Sequence, residues 1–237
     1  MQIAILTPTR NRVKRYTEFL DSIRHTKSQN ANIRCYAYID NDDPAFENYQ
    51  NLNYQGLHTD HTYGESQSIS VSWNIIAQKA ISEGADVLVM GNDDQIYITK
   101  NWDLSIQQLH QKLTDGIYCA WFNDNINQER HCAFPIISKT WYNTLGYFTP
   151  GVFNFGYNDT WIYDIGKRVG RCVYINNVLC EHRHLTTNRG KYNDDTYARN
   201  RTQKRGNLYA KDEVIFNATV DQREADANKL RSIMEQI

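Results

Sequence analysis

Apolar positions along this chain alternate between runs typical of buried strands and helical stripes. Ile3-Ala4-Ile5-Leu6 is an unbroken apolar run of strand length, closed by the polar turn Thr7-Pro8-Thr9-Arg10-Asn11-Arg12. Val13 to Thr26 then sets Phe19, Leu20 and Ile23 on one helical face. Ile33 to Ile39 predicts a second strand, ended by Asp40-Asn41-Asp42-Asp43-Pro44, and Leu52 to His58 a short third one. Ser66 to Ser82 carries Ile69, Trp73, Ile76, Ala77 and Ala80 at helical spacing, with Gly84 as its stop. Val87-Leu88-Val89-Met90 is the next buried strand, and Gly91-Asn92-Asp93-Asp94 terminates it.

The second half predicts a helix over Trp102 to Leu113, a strand over Ile117 to Phe122 and an apolar stretch over Ala133 to Ser138. A capped helix starts at Asn158 or Asp159 with Trp161, Ile162 and Ile165 inward, and a late strand or hairpin surrounds Asn176-Asn177. From Arg183 the pattern loosens and turns basic, before a charged helix over Asp221 to Ile237 with Leu230, Ile233 and Met234 on one side. Alternating strands and helices imply an α/β fold with a mostly parallel central sheet and right-handed crossovers. One domain over residues 1–187, with a basic loop and helix extension over 188–237, is the expected organisation.

In such a sheet the loops at 7–12, 40–43 and 92–94 gather on the carboxyl edge, where open α/β folds bind ligands. Adjacent acids such as Asp93 and Asp94 repel unless a cation lies between them or one stays protonated. Plainer readings stand beside each feature. Asp159 serves equally as a helix cap, Asp40 to Asp43 as an ordinary turn, and His182 and His184 as surface imidazoles. Trp73 belongs with the core stripe of its helix. Arg10 and Arg12 at a helix start oppose the helix dipole, which suggests an anion nearby.

Composition narrows the classes. A net charge of −1 over 237 residues advertises neither nucleic acid nor a membrane surface. The cysteines, Cys35, Cys119, Cys132, Cys172 and Cys180, are odd in number and form no CxxC pair, which fits buried free thiols in a reducing compartment. With no leader-like start and no run of membrane-spanning length, a soluble cytoplasmic protein is expected.

The order of these motifs, Thr-Pro-Thr-Arg-Asn-Arg, Asp-Asn-Asp-Asp, Trp73-Asn74, Asn-Asp-Asp, Asn158-Asp159 and a late His, resembles nucleotide-sugar glycosyltransferases of the GT-A fold, most like glycosyltransferase family 2. The resemblance spans Met1 to His184 and implies a single GT-A-like, Rossmann-like domain. It implies that Thr7, Pro8, Arg10, Arg12, Asp40, Asn74, Asn92 and Asp93 serve the nucleotide, with Asp40 accepting a hydrogen bond from the base. Asn92-Asp93-Asp94 matches the DxD signature with Asn92 in place of the first acid, leaving Asp94 as metal ligand together with His182 or His184. Asp159 would be the catalytic base, with Asn158 and Trp161 toward the acceptor.

The resemblance further implies a UDP-sugar as donor. The acceptor would be a hydroxyl on a glycan, a lipid-linked sugar, a protein or a modified DNA base. Hard oxygen ligands favour Mg²⁺ or Mn²⁺, and an imidazole ligand tilts the choice to Mn²⁺. With Asp159 as base, inversion at the anomeric carbon is the expected course. The alternatives are a nucleotidyltransferase, which the glycine-free first loop disfavours, and a non-catalytic nucleotide- or carbohydrate-binding module of the same fold.

Overall fold

The computed structural model describes residues 1–52, 54–184, 196 and 207–235. The strands are β1 (Gln2–Thr9), β2 (Asn32–Asp40), β3 (His58–Gly64), β4 (Val87–Met90), β5 (Gln95–Tyr97), β6 (Cys119–Asn123), β7 (Ile136–Ser138) and β8 (Cys172–His182). The helices are α1 (Val13–Thr26), α2 (Phe46–Gln50), α3 (Ile69–Ser82), α4 (Trp102–Lys112), α5 (Lys139–Leu145), α6 (Asn158–Arg168), α7 (Leu208–Ala218) and α8 (Val220–Met234).

Among the described residues the strands form one sheet in the order β3-β2-β1-β4-β7-β6-β8-β5. β3, β2, β1 and β4 are mutually parallel, and β6 pairs parallel with β8. β7 runs antiparallel between β4 and β6, and β5 runs antiparallel along β8. The mostly parallel α/β architecture expected from the alternation is therefore the one observed.

Because side chains alternate along a strand, the central strands feed two cores. Ala4, Leu6, Leu88 and Met90 join Trp73, Ile76 and Ala77 of α3, Trp141 of α5, and Trp161 and Ile162 of α6. Ile3, Ile5, Val87 and Val89 join Phe19, Leu20 and Ile23 of α1 and Trp102 and Ile106 of α4. Ala227 and Leu230 of α8 are fully buried in the first of these cores. The C-terminal helices thus share the core of the sheet, and Arg223 of α8 binds Asp164 of α6 at 2.7 Å.

The third strand is displaced from its expected position. The third strand lies at His58–Gly64, after the predicted Leu52 to His58 segment, and α2 occupies part of the connection before it. Around Asn176-Asn177, where a late strand or hairpin was expected, the strand is what forms. β8 runs through, with a register shift against β6 that leaves both asparagines exposed. The five cysteines are free thiols, and all except Cys172 are buried.

Candidate active site

β1, β2 and β4 end together at the carboxyl edge, where a cleft of about 930 Å³ opens. That is at the upper end of the size range of small-molecule sites. Pro8, Arg10, Arg12, Asp40, Asn92, Asp93, Asp94, Asn158, Asp159, His182 and His184 all line it. The gathering of three polar loops read from the sequence is therefore present.

The β1 loop supplies cations that are already matched to acids. Arg10 Nη1 lies 2.6 Å from Asp40 Oδ2 and also binds Asp42. Ser66 adds a hydroxyl donor to Asp40 at 3.1 Å. Arg12 Nη1 lies 2.8 Å from Asp93 Oδ1, while the Thr9 hydroxyl donates to Asp93 Oδ2 at 2.8 Å. Both arginines thus already have carboxylate partners, and the dipole argument for a nearby anion loses its force. Burial pushes the Asp93 carboxyl above the usual range; Arg12 opposes this and Asp94 adds to it.

Gly91 explains how the acidic turn starts. A Cβ there would lie 2.5 Å from Thr7 Oγ1 and 2.9 Å from Ile5 Cγ2, so only glycine fits against β1. Thr7 is consequently 1% exposed beneath this contact and lies outside the cleft lining, contrary to the nucleotide-pocket expectation. The turn then closes through the Asn92 N–H donating to Gln95 Oε1 at 2.8 Å.

β5, which sequence reading missed, settles the placement of the late histidines. Its antiparallel register sets Gln95 opposite His182. His182 Nε2 thereby comes to 3.5 Å from Asp94 Oδ2, and the His184 ring packs on the His182 ring at 5.1 Å between centroids. Burial lowers the affinity of His182 for a proton, but Asp94 and the more distant acids outweigh it, and the net shift is upward. Its buried Nδ1 has no hydrogen-bond partner among the described residues.

The donor set suits a divalent cation that also takes phosphate oxygens. No group of three or more His, Cys, Asp and Glu side chains among the described residues is arranged to hold a metal by itself. One carboxylate with imidazole support, completed by ligand oxygens, is how Mg²⁺ or Mn²⁺ is commonly bound beside a diphosphate. The residues fit such an ion, with Asp94 and His182 as the holding pair and His184 beside them.

Asp159 occupies the first turn of α6, yet the N-cap is Tyr157 and no side chain caps that helix. The Asp159 carboxylate instead meets His131 Nε2 at 2.9 Å. His131 was not foreseen from the sequence, where no motif surrounds it. Its loop is ordered by Asp124, whose Oδ1 accepts from the N–H groups of Ile126 (3.0 Å), Asn127 (2.7 Å) and Gln128 (2.9 Å). Burial pulls the His131 imidazole down, but its hydrogen bond and charge interaction with Asp159 leave it raised above 6.5. Asn158 lines the cleft at 2% exposure, with its Oδ1 unpartnered among the described residues.

Two further expectations are corrected. Trp161 is 1% exposed, donates to the Tyr147 hydroxyl at 3.0 Å and belongs to the core rather than to an acceptor surface. Asn74 lies outside the cleft lining. Its Oδ1 accepts from the N–H groups of Phe148 (3.0 Å) and Thr149 (2.9 Å), and its Nδ2 donates to the Thr149 carbonyl at 2.8 Å. Of the basic stretch after Arg183, most residues lie outside those described. Thr196 is described, and its hydroxyl donates to the Arg10 carbonyl at 2.9 Å on the cleft wall.

No protein-family model and no curated protein sequence matches the chain. Solved structures do. A mannosyltransferase, PcManGT from Pyrobaculum calidifontis, in complex with GDP-Man and Mn²⁺, superposes with a TM-score of 0.61 at 12% identity over 99% of this chain and 74% of its own. S. aureus TarS superposes at 0.56 and 12% identity over 76% of this chain, which spans only 37% of the TarS length. TarS 1–349 in complex with UDP-GlcNAc gives 0.57 at 10% identity, covering 82% of this chain and 62% of that one. At such identities the likeness is one of architecture: the chain has a GT-A-like fold.

Proposed function

We propose that the protein is a glycosyltransferase that moves a sugar from a nucleoside diphosphate to a hydroxyl acceptor in the carboxyl-edge cleft. The observation that carries this reading is the presence, in one cleft, of two distinct acid–imidazole pairs, Asp94–His182 and Asp159–His131. One pair suits a divalent cation, which would offset the charge of a leaving diphosphate, and the other suits a proton.

Fold neighbours that hold GDP-Man and UDP-GlcNAc support a nucleotide-sugar donor, and a UDP-sugar is the donor to test first. The Arg10–Asp40 network lines the donor end, where Asp40 retains acceptor capacity for the base. Arg12 holds Asp93 in place behind Asp94. Asp94 and His182 would hold Mn²⁺ or Mg²⁺, which offsets the negative charge of the departing diphosphate when bound.

Chemistry at this chain's own residues follows. The bond between the anomeric carbon and the diphosphate oxygen breaks, with the electron pair leaving on the diphosphate. The acceptor oxygen forms the new bond, and its proton passes to the Asp159 carboxylate, oriented by His131. Charge at the anomeric carbon develops as in other glycosyl cleavages. A single displacement with Asp159 as base inverts configuration.

Release of nucleoside diphosphate from a panel of nucleotide sugars, with Mn²⁺ and with or without added acceptor, tests the proposal. Metal-dependent release that falls by about 10²-fold or more in Asp159→Asn is expected. Binding of nucleotide sugars without turnover, under all conditions, would make the protein a binding module instead.

A further inference from the structure

The turn before α6 is held from outside the sheet. Asp212, fully buried on α7, accepts three backbone N–H bonds, from Asn154 at 3.0 Å, Phe155 at 2.7 Å and Gly156 at 2.9 Å. Tyr157 follows with φ of +63°, a left-handed conformation that is unfavourable for an L-residue with a bulky side chain. Its ring is gripped by Tyr209 at 4.9 Å and Phe216 at 5.1 Å between centroids, both on α7. At Gly156 a Cβ would lie 2.8 Å from Tyr209 Cδ2, so the glycine lets the Tyr209 ring rest directly on the turn.

This construction leaves an aromatic ring where a core would have hidden one. Tyr209 is 53% exposed, and it lines the cleft with Tyr157, Asn154 and Asn207, next to Asn158 and Asp159. A strained turn fixed by a buried carboxylate thus supports the exposed Tyr209 ring from beneath at the cleft rim. Exposed tyrosine faces with amides alongside suit the C–H face and hydroxyls of a pyranose. Among the described residues, the carboxylates of Asp159 and of Glu213, which bears on the Tyr157 hydroxyl, disfavour a polyanion at this end.

We infer that Tyr209, backed by Tyr157 and by the turn that Asp212 holds, forms the acceptor platform and takes the face of a neutral sugar ring. The inference rests on the transferase reading above and names its acceptor class as a glycan.

Saturation-transfer NMR on the full chain tests it, with methyl pyranosides of glucose, galactose, mannose and N-acetylglucosamine as probes and a deoxytrinucleotide as competitor class. Saturation of at least one pyranoside is expected in the wild type, concentrated on one face of the ring. Tyr209→Ala should weaken that binding at least tenfold, Tyr209→Trp should restore it, and Gly156→Ala, which displaces the ring, should weaken it. The melting temperature of each variant without ligand reads whether the fold is kept, and the thermal shift with UDP and Mn²⁺ in the same samples reads the donor end. No pyranoside saturation, or equal saturation in Tyr209→Ala, overturns the platform even where the UDP shift persists. Saturation of the trinucleotide alone reassigns the platform to a nucleobase and also overturns it. Pyranoside binding without any diphosphate shift removes the transferase reading instead, and with it the acceptor role.

Discussion

Arg12 Nη1 stands 2.8 Å from Asp93 Oδ1, and this pair neutralises, from within the chain, one of the two adjacent acids that end β4. Arg12 thereby opposes, without a ligand, the repulsion between Asp93 and Asp94, although Asp94 still adds to the upward shift of Asp93, and the side chain that lies against His182 is Asp94. Removing one partner of a buried pair leaves an uncompensated charge, at a cost of about 3–5 kcal/mol. Arg12→Ala should therefore destabilise strongly, and adding Asp93→Asn should recover much of the loss. Urea denaturation of the two single variants and the double variant measures the coupling; additive losses would contradict a direct pair.

The His131–Asp159 pair predicts a pH dependence. His131 is raised above its ordinary value of 6.5, so its contribution is fully present below that value and is lost as pH rises through the folded-state value. Both side chains are about a third exposed, and solvent screening holds the effect to about 1 kcal/mol or less. His131→Asn should cost more stability in mildly acidic than in alkaline buffer. A transferase rate that climbs with pH in the wild type should lose that inflection in His131→Asn. An unchanged profile would separate His131 from the proton transfer.

Gly91 and Asn74 give contrasting outcomes. Gly91→Ala drives a methyl group into Thr7 and Ile5, at a cost of about 1–3 kcal/mol, and should also weaken diphosphate binding by shifting the acidic turn. Asn74→Ala removes three hydrogen bonds to the backbone of residues 148 and 149 and should cost about 1–3 kcal/mol. Its KM for the nucleotide sugar should stay that of the wild type. Thermal melts with steady-state kinetics check both; an altered donor KM in Asn74→Ala would return that residue to the nucleotide pocket.

Much of this was legible in the chain because the central strands are covered on both faces. Ile3 to Leu6 and Val87 to Met90 read as strands for that reason, and the predicted bounds of α1, Val13 to Thr26, match the structure. β3 was misplaced because it is an edge strand: His58 to Gly64 has no fully buried position and so no apolar rhythm to detect. β5 spans only three residues and shows itself through pairing with β8, which is a tertiary event. Asp40, Asp94 and Asp159 were findable because acids at strand and helix ends are local signals. His131 and Asp212 were not, since their partners lie 28 and more than 50 positions away in sequence. Trp161 and Asn74 were assigned to ligands because sequence does not distinguish a polar atom satisfied by the fold from one open to a cleft.

The central claim, a diphosphate site centred on Asp94, is tested most directly by thermal shift with UDP, GDP and their sugar conjugates, each with and without Mn²⁺. A stabilisation of roughly 3 kcal/mol, as expected for a ligand at a hundred times its Kd, should need nucleotide and metal together and vanish in Asp94→Ala. A shift that is indifferent to metal or survives in Asp94→Ala, or no shift with any diphosphate, would contradict the account.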